Sequence, residues 1–181
     1  MSQPKSSRPD FDLAALRADP RVSWTRDVLR YCDTDANGHI NNSVFSVFCE
    51  SGRVHHLHEV LKSRGMPGIF FVIARLAIDF RAELHYPGEV EVGTWLPSIG
   101  RSSIAYRQAI LNQDGNLVGN SDATVVQMDL ATRRPAPFSD ELRARIEPLV
   151  RPRERLAVDS SPSRLAARTA RPKARASPNR V

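Results

Sequence analysis

The chain is poor in cysteine. Its 181 residues hold only Cys32 and Cys49, too few for a disulfide framework and without metal-ligand spacing. Both read as small buried residues of a reducing compartment. No apolar run is long enough to span a membrane as a helix, and Met1–Asp10 lacks the hydrophobic stretch of a secretion signal. The expectation is a soluble cytoplasmic protein. No Gly-x-Ser-x-Gly elbow occurs, which argues against a Ser-His-Asp hydrolase. Aromatics make up 7% and glycine nine residues.

Net positive charge is also lacking over most of the chain. Residues 151–181 carry nine Lys/Arg and two acids, a net of +7, against +6 for the whole protein. Residues 1–150 are therefore at −1, which argues against a nucleic-acid-binding fold for the body. The basic tail lacks apolar periodicity and is expected to be disordered, with at most a weak, salt-sensitive attraction to nucleic acid or anionic esters. Residues 1–15 read as a loose leading segment and 16–150 as one domain.

One stretch is dense in chemistry. Asp33-Thr34-Asp35-Ala36-Asn37-Gly38-His39-Ile40-Asn41-Asn42 packs two carboxylates, three carboxamides and an imidazole into ten residues. An apolar, helix-like run follows, so a polar turn opens a buried helix. Free N–H groups and the helix dipole at such a start favour negative charge. Asp and Asn also serve tight turns and caps, and Asn41 or Asn42 is a natural N-cap. With those two supplying the cap, Asp35, Asn37 and His39 remain to be explained.

Around this turn, residues 22–32 read as a strand and 41–64 as a helix, stopped by Gly65 and Pro67-Gly68. Gly52 within the helix costs about 1 kcal/mol relative to Ala, which points to close approach of another backbone. In a third segment Val72, Ala74, Leu76, Ile78 and Phe80 form one strand face. Two further alternating runs carry Val90, Val92, Thr94, Leu96 and Ile104, Tyr106, Gln108, Ile110. Asn112–Gly115 signals a hairpin, and a last strand covers Leu117–Leu130. Ser139 caps a short helix with Leu142, Ile146 and Leu149 on one face. Tight turns imply antiparallel neighbours, so the fold class is α+β: one long helix against a curled antiparallel sheet of about five strands. His55, His56 and His58 read as a mixed helix surface, since no i, i+4 pair exists among them and no Cys or Asp cluster completes a metal site.

This order and these motifs resemble the hotdog-fold acyl-CoA thioesterases of the 4-hydroxybenzoyl-CoA thioesterase type. The matching residues are Tyr31, Asp33-Thr34-Asp35, Gly38-His39-Ile40-Asn41-Asn42, Phe45, Glu50 and Arg53. Ile78-Asp79-Phe80, Pro87-Gly88, Gly100-Arg101-Ser102-Ser103-Ile104 and Val125–Asp129 follow in the expected order. The turn is also similar to the Asp-x-Asn-x-His pattern of plant acyl carrier protein thioesterases, which falls here on Asp35, Asn37 and His39.

The resemblance implies hydrolysis of an acyl-CoA or acyl carrier protein thioester, with no metal or organic cofactor. It implies a homodimer or homotetramer with the site at the subunit interface. Asp35 is the candidate base or nucleophile, with Asn37, His39 and Glu50 as further catalytic candidates. Were Glu50 close to Asp35, like-charge repulsion would raise one of the two pKa values. Asn41, Asn42, Gly100, Ser102 and Ser103 are candidates for substrate binding. Two rival readings share the fold: a protein that binds acyl thioesters without hydrolysing them, and a hydratase or dehydratase. Fold alone does not separate them.

Overall fold

The computed structural model describes residues 11–62 and 66–152. The expectations for 1–10, for Gly65 and for the tail from 153 lie outside these. Five strands form one antiparallel sheet: β1 (Ser23–Val28), β2 (Ile69–Phe80), β3 (Glu89–Ile99), β4 (Ser103–Asn112) and β5 (Leu117–Asp129). Their spatial order is β1-β3-β4-β5-β2, so β2 is an edge strand that pairs only with β5. Three helices accompany the sheet: α1 (Leu13–Ala18), the long α2 (Asn42–His55) and α3 (Asp140–Ile146).

The strand alternations place the core. Val90, Val92, Ile110 and Val118 meet Phe45, Phe48 and Cys49 of α2 in one cluster. Leu96, Ile104, Tyr106 and Val125 meet Leu57, Leu61 and α3 in another. The opposite face of β3 and β4 is covered too: Trp95 and Ala109 pack on Phe11 and Leu16. α1 thus begins inside the segment expected to be loose, with Asp12 as its N-cap. Arg151, grouped with the basic tail in the sequence, is buried. It donates to Leu96 O (2.7 Å) and pairs with Asp19 (2.8 Å).

Gly52 has the reason that its helix position suggested. A Cβ there would sit 2.6 Å from Thr94 Oγ1 and 2.7 Å from Gln108 Nε2. The approaching groups are side chains of the sheet rather than backbone.

Four local expectations are corrected. The first strand ends at Val28, not 32. Leu29 N–H bonds Gly88 O (2.9 Å), and a 3-10 turn over Tyr31–Asp33 follows, held by Arg30 N–H donating to Asp33 Oδ2 (2.9 Å). Cys32 on that turn is exposed; only Cys49 is buried. In β2 a bulge between Ile73 and Arg75 breaks the alternation. Phe71, Leu76 and Ile78 therefore reach the core, while Ala74 and Phe80 are exposed. Finally, α2 passes into one π-helical stretch, His56–Val60. His56, one turn on from Gly52 and Arg53, continues the buried stripe of α2 and is fully buried, with its ring edge-on to Tyr106 at 5.5 Å. Desolvation pushes its pKa down to about 4, so His56 is neutral at neutral pH and is not part of a helix surface.

Candidate active site

The polar turn is tied down by its own side chains. Asp35 Oδ1 accepts the N–H groups of Asn37 (2.8 Å) and His39 (3.2 Å). Its backbone closes the same loop through Asp35 N–H to His39 O (2.8 Å) and Gly38 N–H to Asp35 O (3.0 Å), with Gly38 at φ +79°. Those bonds to Asn37, then to His39, and the imidazole nearby hold the Asp35 carboxyl below its ordinary pKa. It is ionised at neutral pH. Both backbone bonds fall on Oδ1, and the Asn37 side chain bears on the same carboxylate.

Asn41 is the N-cap of α2: its side-chain oxygen accepts Ser43 N–H (2.9 Å). Its carbonyl takes Val44 N–H (2.9 Å). The N–H of Asn42 is engaged by none of the described residues. The mouth of α2 therefore offers one amide donor next to the Asp35 turn, with Asn42 and Asn37 exposed beside it.

The turn is stitched to the segment after β2. Ile40 N–H donates to Leu84 O (2.8 Å). Ile40 and Leu84 are both buried, so alternation turns His39, Glu83 and His85 outward together. His39 Nε2 lies 3.6 Å from Glu83 Oε2. Sequence reasoning missed Glu83 and His85; their one signal is that they flank an apolar residue in a polar stretch.

Two groups of candidates are not brought to Asp35 within one chain. Glu50 stands on the exposed side of α2 and lines a groove of about 320 Å³ with Ser46, Arg53 and Ile73–Leu76 of β2. The charges and donors that act on Asp35 are Asn37 and His39, and its pKa moves down. That is opposite to the rise expected of one member of a carboxylate pair. Gly100, Ser102 and Ser103 form the β3–β4 turn. Gly100 N–H bonds Ser103 O (2.8 Å), Ser102 O accepts Gln127 N–H (2.8 Å), and Arg143 donates to Gly100 O (2.8 Å). The Asp35 turn is anchored at the Glu89 end of β3, through Leu29 and Gly88. Residues 100–103 sit beyond its other end, on the order of 30 Å away at the rise of an extended strand.

A long helix wrapped by a curled five-strand antiparallel sheet, with an ionised carboxylate at the helix mouth, defines a hotdog fold of the thioesterase kind. A family model described as the Thioesterase-like superfamily matches residues 29–146. The chain belongs to that superfamily, and the enzyme class expected from the sequence, a thioesterase, stands with it. It is 24% identical over 108 residues to the acyl-CoA thioester hydrolase YbgC of Escherichia coli O6:H1, covering 58% of this chain and 81% of that protein. It is 26% identical over 120 residues to the long-chain acyl-CoA thioesterase FadM of Escherichia coli K12, covering 65% and 91%. Among solved structures, a predicted thioesterase from Bacillus stearothermophilus superposes with a TM-score of 0.66 at 26% identity, covering 72% of this chain and 98% of that one. Among the described residues no helix is long and apolar enough to cross a membrane.

Proposed function

We propose that this thioesterase hydrolyses acyl-CoA thioesters, with Asp35 as the group that attacks or activates water. The observation that carries this is the Asp35 carboxylate, held ionised by two N–H groups on one oxygen beside the start of α2. When water attacks, its oxygen adds to the thioester carbonyl and the C–S bond breaks; when Asp35 attacks, its oxygen displaces the CoA sulfur to give an acyl–Asp35 anhydride, which water then splits. The acyl group leaves as the acid, and the CoA sulfur departs as thiolate and takes up a proton. The Asn42 N–H, with Asn37 or the Asn41 amide, faces the developing oxyanion. His39 orients the water or carries the proton. Relatives named for acyl-CoA favour CoA over a carrier protein as the thiol.

The test is a panel of acyl-CoAs of varied chain length, plus an aromatic one, with a dye that reports free thiol. Release of CoA from at least one ester is expected. Tight binding without release from any would instead support the non-hydrolytic reading.

The complete site needs a second copy of the chain. Among the described residues the outer edge of β2 pairs with no other strand, and it carries an exposed Ile73 (49%), an open invitation to strand pairing. Ser103 lies opposite Val126, near the Ile69 end of β2, whereas the Asp35 turn lies toward its Phe80 end. Antiparallel pairing of two β2 strands sets one chain's Ile69 end beside the other's Phe80 end. Residues 100–103 of the second copy then approach Asp35 of the first, and Glu50 faces the same seam. A lysine at the edge opposes such pairing. Ile73→Lys is expected to convert the native dimer or tetramer to monomer by light scattering and to lower turnover by at least about tenfold. A native protein that is monomeric and active would overturn this arrangement.

A further inference from the structure

We propose that His39, Glu83 and His85 form a binding site for a divalent transition metal, of which zinc is the representative, at the rim of the Asp35 turn. Nε2 of His39 and Nε2 of His85 lie 3.6 Å and 3.8 Å from the same Glu83 oxygen, Oε2. One donor atom from each residue falls within 4.8 Å of the other two. A tetrahedral ion with ligands at 2.0–2.1 Å holds its donors about 3.3–3.4 Å apart, so small side-chain rotations close the set.

The backbone under this set is already built. The Ile40 N–H to Leu84 O bond joins the two segments. Ile40 and Leu84 enter the core, and the three donors are thereby fixed on the outer side. The His39 and His85 rings meet edge to face, with centroids 4.9 Å apart at 87°. Asp35, whose Oδ1 accepts His39 N–H at 3.2 Å, adds a carboxylate close to the site. Two imidazoles with one carboxylate suit zinc, nickel or copper and not magnesium or calcium, whose ligands are oxygens. Three protein ligands leave a position for water. No step of the hydrolysis runs through the ion. It engages His39, so occupancy slows the enzyme; this consequence rests on the role given to His39 under the proposed function, whereas binding does not.

The experiment is titration of the full-length protein with Zn²⁺ by calorimetry, repeated with Mg²⁺. One saturable Zn²⁺ per chain is expected, and no heat from Mg²⁺ at the same concentration. His85→Ala and Glu83→Gln should each weaken zinc binding by at least about tenfold. Asp35→Asn, inactive if the function is right, keeps all three ligands and should still bind one zinc, weakened by less than His85→Ala because only a neighbouring charge is lost. Equal binding by native protein and by the His85→Ala, Glu83→Gln double variant, or no saturable binding, would overturn the site. Zinc should slow hydrolysis by native enzyme, reversibly with a chelator, but not by His85→Ala. Saturable zinc binding that leaves the native rate unchanged supports the site and removes His39 from the reaction.

Discussion

Asp35→Asn is expected to lower kcat for thioester hydrolysis by about 10²–10³-fold and to leave the fold intact. The asparagine oxygen can still accept from Asn37 and His39 N–H, the two bonds that shape the turn. Only the charge and basicity at Oδ2 are lost. KM should therefore change little, and the melting temperature should stay within about 3 °C of native. Asp35→Ala removes the turn bonds as well and should lower stability along with rate. The pH profile carries the same signature. Because its backbone donors hold the Asp35 pKa below the ordinary value, the carboxylate is charged across the neutral range. It takes up a proton only below the ordinary carboxylate range. The acid limb due to Asp35 thus lies below that range, and its contribution to stability is present at neutral pH and lost as pH falls through its lowered pKa. Single turnover in heavy-oxygen water separates the two routes: label enters the Asp35 carboxylate only when it is the nucleophile. Hydrolysis by Asp35→Asn within about threefold of native would remove Asp35 from the chemistry.

The largest stability effect is expected at Gln108. This side chain is completely buried between α2 and the sheet. Its Nε2 donates to Cys49 O (2.9 Å) and Thr94 Oγ1 (3.0 Å). Its Oε1 accepts from Arg53 Nη1 (3.1 Å) and Ser121 Oγ (3.0 Å). Two donors and two acceptor sites are all a carboxamide has, so the network is complete. Gln108→Leu keeps the volume and removes all four bonds at once, leaving Thr94, Ser121 and Arg53 short of a buried partner while Cys49 O keeps its place in the helix ladder. The worst placed is the Arg53 guanidinium, 6% exposed, whose pKa desolvation already pushes down. Leaving a buried hydrogen-bonding group without its partner costs about 1–3 kcal/mol, and more for a charged one such as Arg53, so a total of about 3–5 kcal/mol is expected. In a domain of this size that amounts to a fall of roughly 10–15 °C in Tm. Removing both partners, with Gln108→Leu and Arg53→Met together, should recover part of the loss, because the unpaired charge is then gone. A Gln108→Leu protein melting within 2–3 °C of native would show that the network contributes little.

These two residues differ in how readable they were. Asp35 stands out in one dimension, since the acids, amides and imidazole of the turn are neighbours along the chain. Ser139, Asn41 and the Asn112–Gly115 hairpin are equally local, and each does in the structure what its residue type favours. Gln108 was legible only as a polar residue on an inward face. Nothing nearby in sequence announces Cys49, Arg53, Thr94 or Ser121 as its partners. Glu83 and His85 were invisible for the same reason, since one long-range backbone bond, Ile40 to Leu84, brings them to His39. The β2 bulge and the π-helical stretch were missed on other grounds. Each inserts one residue into a regular period, so the residues before and after it no longer share one face, and periodicity read from sequence assumes the period is kept.

The sequence by itself determined the α+β class, the position of the long helix, the strand alternations and the acid-bearing turn at the helix mouth. All of these follow from side-chain chemistry repeated or clustered over a few residues. Only the tertiary structure decided that Glu50 faces another groove, that Gly100–Ser103 stand at the far end of β3, and that His39 shares its rim with Glu83 and His85. Such placements depend on which distant segments the core pulls together, and burial energy is insensitive to how far apart the buried residues lie along the chain.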